Sequence, residues 1–214
     1  MERENPCKHE GKQVLLVEGI NDCHVVMALC KTCHVPENFG IYQCGGYVEA
    51  LRRLNALILQ ADKPEIIGVV VDADLPDVTV RWQQIKNKPE LKAYPFPENP
   101  IADGVIFPKQ KDRPRLGIWL MPDNKNPGML EDFLLELVPS NGIETAKNCV
   151  ANAQIQQVAS FKEVHFSKAV IHTYLAWQDE PGKPLGQAVT AQALRPDTQT
   201  ANAFIDWLTR LFNP

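Results

Sequence analysis

Three short, almost wholly apolar runs constrain this chain more than any other feature: Gln13–Val17 (QVLLV), Ile66–Val71 (IIGVVV) and Leu116–Met121 (LGIWLM). Each is too short for a helix and reads as a strand, and strands this apolar must be covered on both faces. The intervening stretches have helical spacing. Val25, Val26, Leu29, Cys30 and Cys33 share one side of a helix from about Asp22. Val48, Leu51, Leu54, Leu57 and Ile58 do the same, with Arg52 and Arg53 off the stripe. A further strand is expected near Phe39–Gln43, broken by Gly45-Gly46, and Pro76 opens a helix through Trp82 and Ile85. Strand and helix alternating three times over predict an α/β fold: a mainly parallel sheet flanked by helices.

The pattern then changes. Pro95, Pro97, Pro100, Pro108 and Pro114 mark residues 93–115 as a loop or a short hairpin around Gly104–Phe107. Beyond Leu116–Met121, a helix carries Leu130, Phe133, Leu134 and Leu137. After Pro139 the chain reads as helices at Ile143–Val158, Phe166–Trp177 and Asn202–Phe212. This divides it into an α/β core, residues 12–138, and a helical C-terminal extension, residues 139–214, packed on that core.

With 44% apolar residues the chain can bury a core without disulfides or metal. Its six cysteines are expected to stay reduced. Cys30-Lys31-Thr32-Cys33-His34 spells a haem-attachment motif, but it continues a helical pattern, and one C-x-x-C falls short of the four ligands of structural zinc. It reads as two thiols one helical turn apart. A net charge of −4 and a pI of 5.7 exclude a general polyanion binder. Nucleic acid could be held only through a local basic patch or a bound metal. The polar opening Met1–Lys12 and the lack of any apolar run of about 18 residues predict a cytoplasmic protein without a membrane span.

Ligands of open parallel sheets bind beyond the carboxyl ends of the strands, where this sequence repeatedly places acids. Glu18 follows the first strand, Asp72 and Asp74 the third, and Asp123 the fourth; Asp22 lies one helical turn after Glu18. If the strand geometry persists through Ala73, Asp72 and Asp74 point the same way. Carboxylates so close repel unless a cation neutralises them, and oxygen donors without a histidine cluster favour Mg²⁺ or Mn²⁺ over zinc. Taken singly, an acid at a strand end is more often a turn former or helix cap, above all Asp123 in Pro122-Asp123-Asn124.

In order and context, LLVEGINDCHVV, the glycine turn Gln43-Cys44-Gly45-Gly46 and IIGVVVDAD resemble the Toprim domain of topoisomerases, primases and OLD-type nucleases. The resemblance covers about residues 12–138. The whole chain looks most like a small stand-alone Toprim-like family in which MPDN…GMLEDFLL and a helical C-terminus recur. The resemblance implies that Glu18 is a metal ligand or general acid/base and that Asp72 and Asp74 are metal ligands. Asp22 matches the acidic position one turn later in OLD-type nucleases. Glu131 resembles the further acid that helps hold a second metal there, and Lys168 the late lysine, whose ammonium can stabilise charge developing on a phosphoryl group. No phosphate-binding G-x-x-x-x-G-K-[ST] loop, topoisomerase tyrosine module or primase zinc ribbon accompanies these motifs.

Positive charge for substrate phosphates is expected from Lys109, Lys111, Arg113 and Arg115, which alternate along one proline-rich loop and could form a phosphate-contacting hairpin. The expectation is therefore a Mg²⁺- or Mn²⁺-dependent phosphoryl-transfer enzyme, a nuclease cleaving DNA or RNA. A different class of reading is a non-catalytic regulatory module holding a metal or nucleotide in a Toprim-like site. A third is hydrolysis of a small phosphorylated molecule.

Overall fold

The computed structural model describes residues 5–213 except residues 10 and 75; the first four residues of the polar opening lie outside it. The elements run β1 (Gln13–Val17), α1 (Ile20–Thr32), β2 (Gly40–Gln43), α2 (Tyr47–Leu59), β3 (Ile66–Asp72), α3 (Val78–Lys86), β4 (Val105–Phe107), β5 (Arg115–Met121), α4 (Leu130–Glu136), α5 (Ser140–Ile155), α6 (Phe166–Leu175), α7 (Leu185–Thr190) and α8 (Gln199–Phe212). The strands form one sheet in the order β2-β1-β3-β5-β4. All neighbours are parallel except β4, which returns antiparallel along β5. The α/β class and mainly parallel sheet expected from the three apolar runs are thus present. The chain steps from β1 to β2 on one side and then crosses back past β1 to β3 on the other, so a crevice opens between the carboxyl ends of β1 and β3.

Alternation along each strand sorts the core into two layers. Val14 and Leu16 of β1, Ile67, Val69 and Val71 of β3, and Leu116, Ile118 and Leu120 of β5 face α2 and α3, where they meet Leu51, Leu54, Trp82 and Ile85. Leu15, Val17, Val70, Trp119 and Met121 face the other way, onto α1 and helices from the C-terminal third.

In that second layer α8, from the C-terminal part of the chain, lies directly on the sheet. Gly68 of β3 and Gly117 of β5 are register partners that leave a flat floor beneath it. A Cβ on Gly68 would sit 2.6 Å from Leu15, and one on Gly117 would sit 2.5 Å from Leu211. The fully buried indole of Trp207 fills the adjoining space and donates through Nε1 to the Val105 carbonyl at 3.3 Å. α7, absent from the sequence reading, follows Pro184 and packs on α1. Gly186 permits the close approach, since a Cβ there would lie 2.5 Å from the His24 carbonyl oxygen. Among the described residues no helix is long and apolar enough to cross a membrane.

One expectation is overturned. Cys7 and Cys23 form a disulfide across a sequence separation of 16 residues, whereas all six cysteines were expected to be free thiols. The cause is a contact that helical periodicity does not encode. Residues 7–9 run beside β2, with Gln43 donating to the Cys7 carbonyl at 2.9 Å and His9 donating to that of Ile41 at 3.1 Å. This brings Cys7 onto the first turn of α1. Cys30 on α1 and Cys33 at its C-cap remain free thiols, as expected; burial pushes the Cys30 thiol up to about 12. Closing a loop of this length is worth about 3 kcal/mol in the chain-entropy account. Cys7→Ser or reduction is expected to lower the melting temperature by about 6–12 °C for a chain of this size. Thermal melts with and without reductant test this; superimposable curves would remove the bond from the stability account.

Candidate functional site

The crevice collects the acids. Glu18 leaves β1 and is held at both ends. Its carbonyl accepts from the N–H groups of Gly45 and Gly46 at 2.8 and 2.9 Å, and its Oε1 accepts from the Asp72 N–H at 2.8 Å. The glycine turn is needed here because both residues have positive φ, 94° and 120°. Asp22, in the first turn of α1, is 8% exposed and accepts from the Gly19 N–H at 3.0 Å. Asp72, the last residue of β3, accepts from the Leu130 N–H at the start of α4 at 3.0 Å. Glu131, the next residue of that helix, is 5% exposed, and its carboxylate lies 3.0 Å from Lys168 Nζ on α6. The pairing of Glu131 with Lys168 joins two residues 37 positions apart that motif likeness alone had linked.

Asp74 departs from expectation. The strand ends at Asp72, and Asp74 takes φ 57°, the left-handed region, with its N–H bound to the Gly128 carbonyl at 2.9 Å. Its side chain therefore does not continue the direction of Asp72. It forms an ion pair with Arg81 of α3. Arg81 in turn lies over the Tyr47 ring, 3.7 Å from its centroid, at the start of α2. Neither Arg81 nor Tyr47 was singled out from the sequence. The available signal was position, since both occupy the first turns of helices that follow strands ending at this edge.

The electrostatics express crowding. Burial, then the carboxylates of Asp22, Glu18, Glu131 and Asp74, push Asp72 up to about 9. Burial and then Glu18 push Asp22 up to about 7, against the Gly19 N–H. Burial also raises Glu18, opposed chiefly by its bond from the Asp72 N–H. The five acids thus feel one another across the crevice, and protons neutralise part of the charge. Among the described residues, however, no three histidine, cysteine or acidic side chains stand close enough to form a ready-made metal cage. Each acid already has an internal partner. The donors suit a hard cation in kind, and a cation must displace protons, Arg81 or Lys168 to use them.

Beside the cluster is a cleft of about 120 Å³ bordered by Asp74, Gly128, Met129, Asp132, Glu163 and Ser167. A larger cavity of about 310 Å³, between α1 and α7, lies beside His24 and Lys31 and contains none of the five acids. Asp123 is a turn former: its carboxylate accepts from the N–H groups of Lys125 and Asn126 at 3.0 and 2.8 Å.

The basic loop is placed elsewhere. Asp72 pairs with Met121 and Ile66 with Arg115, so Arg115 sits at the opposite end of the sheet from the acids. Seven strand residues separate the two edges by about 20 Å. Gln110 and Arg113 do close a hairpin-like turn, but it packs at the amino edge, with Lys109 3.9 Å from Glu65. Lys111 lies in the same turn. Arg113 donates to the Glu90 carbonyl at 2.9 Å, and Arg115 to that of Arg210 at 2.8 Å. The four basic residues therefore do not line the crevice, and alternation along a loop could not show which sheet edge it occupies.

Over residues 12–213 the chain matches the family described as protein of unknown function (DUF3226), and it belongs to that family. No curated protein and no solved structure matches it.

Proposed function

We propose that this protein is a metal-dependent phosphoryl-transfer enzyme, and specifically a nuclease acting on DNA or RNA phosphodiesters through a Toprim-like site. The observation that carries the reading is the convergence of Glu18, Asp22, Asp72, Asp74 and Glu131 at one sheet edge, crowded enough to raise Asp72 to about 9. Structural acids at a strand end do not need four acidic neighbours. Such crowding is disfavoured without a counter-charge, and a bound cation would offset it.

Glu18, Asp22 and Asp72 would hold a Mg²⁺ or Mn²⁺ ion, and Glu131 and Asp74 extend the donor set on either side. The bound ion supplies Lewis acidity and a water more acidic than bulk water. The remaining roles fall to the chain itself. Glu18, whose affinity for protons is raised by burial, would serve either as a ligand of the ion or as the base that takes the proton of the attacking water. Lys168, with its side chain 46% exposed and paired with Glu131, would place Nζ against a phosphoryl oxygen as negative charge builds there. Asp72 and Asp22 keep their orientations through the Leu130 and Gly19 N–H groups. The reading implies nucleic acid of the cytoplasm as the substrate pool.

The test is cleavage of plasmid, single-stranded DNA and RNA with Mg²⁺ or Mn²⁺. Glu18→Ala and Lys168→Ala are expected to lower the rate by about 10²–10⁴-fold while remaining folded. Metal binding by the unmodified protein without cleavage of any of these would favour the non-catalytic module instead.

A further inference from the structure

Arg81 is in direct contact with an acid on the α3 side of the crevice, and its surroundings are unusual. Its side chain is 12% exposed while that of its partner, Asp74, is 46% exposed, so the guanidinium is the buried member of the pair. One terminal nitrogen, Nη2, engages Asp74, while Nη1 donates to Gln84 Oε1 at 3.2 Å. The plane rests on Tyr47, and Nε is buried without a hydrogen-bond partner. Arg81 also lies close enough to Glu18 to lower its affinity for protons, opposing Asp74, which raises it.

We propose that Arg81 is a built-in counterion that stands in for the divalent cation at Asp74 and is displaced when that cation binds. This rests on the metal-site reading above. The geometry permits displacement without stranding the charge. Once Asp74 is taken, the guanidinium keeps the π face of Tyr47 and the carboxamide of Gln84, two contacts that do not involve the acids. Tyr47 and Gln84 hold the guanidinium in the buried position whether or not Asp74 stays paired with it. Here the carboxylate is the accessible partner, open to an arriving cation, and Arg81 sets how strongly that cation must compete.

The experiment is calorimetric titration of the full chain with Mn²⁺ alone. Removing the positive charge that competes for Asp74 is expected to make Arg81→Gln bind Mn²⁺ at least about tenfold more tightly. Arg81→Lys, which keeps the charge, is expected to bind within about threefold of the parent and serves if the glutamine variant is poorly folded. Arg81→Gln binding Mn²⁺ no more tightly than the parent would overturn the proposal while leaving the metal site intact, as would Arg81→Lys binding as tightly as expected for the uncharged variant. If the parent itself binds no Mn²⁺, the metal-site reading fails and this inference with it.

Discussion

Asp72→Asn is expected to melt higher than the parent protein at pH 8 in the absence of metal, and to be inactive. The sign follows from the raised carboxyl. Asp72 titrates near 3.8 when unfolded and at about 9 when folded. Its favourable contribution is complete below the unfolded value and is lost as pH rises through the folded one. At pH 8 the folded site must therefore take up a proton or bear the repulsion of its neighbours. Asparagine removes that cost and can still accept the Leu130 N–H. The gain is expected to be about 2 kcal/mol, or about 4–8 °C, shrinking towards zero near pH 4.

The same change should abolish the response to metal. Mn²⁺ is expected to raise the melting temperature of the parent, more at pH 8 than at pH 6, because binding expels protons. It should do little for Asp72→Asn. A variant destabilised at pH 8, or one still stabilised by Mn²⁺, would contradict the account of the crevice. A residue that weakens the fold in the absence of its ligand is what a functional site commonly contains.

Trp207→Ala is expected to cost about 3–5 kcal/mol, a large share of the stability of a domain this size. The indole is fully buried, stacks at 5.9 Å from Phe204 and donates to the Val105 carbonyl. Its loss leaves a cavity walled by Gly104 and Gly117, which have no side chains to collapse into it. Denaturant titration measures the effect, and a change below about 1 kcal/mol would show that α8 adds little to the core. The consequence for the site is direct. α8 lies on β3 and β5, and β3 ends at Asp72, so loosening this layer releases the strand end that positions the acids.

Local pattern exposed much of the fold because it follows from side-chain periodicity. QVLLV, IIGVVV and LGIWLM are strands apolar on both faces, which only a sheet covered on both sides can accommodate. Position at strand ends likewise made Glu18, Asp22 and Asp72 legible, since the crevice of such a sheet lies there. Lys168 and Glu131 were reachable only through likeness to a family, because their contact joins α4 of the core to α6 of the C-terminal part of the chain. Arg81 and Tyr47 escaped notice, an arginine and a tyrosine in amphipathic helices having no distinctive spacing.

By itself the sequence determined the class of fold, the direction of its strands and the edge at which the acids gather. These depend on periodicity and on residues adjacent in the chain. The tertiary structure decided that α8 completes the core, that Cys7 meets Cys23, and that the basic loop sits about 20 Å from the acids, at the other end of β5. It also decided that Asp74 turns from Asp72 to face Arg81. Each of these is a contact between distant segments or a single left-handed residue, fixed by packing and backbone geometry that no local pattern records.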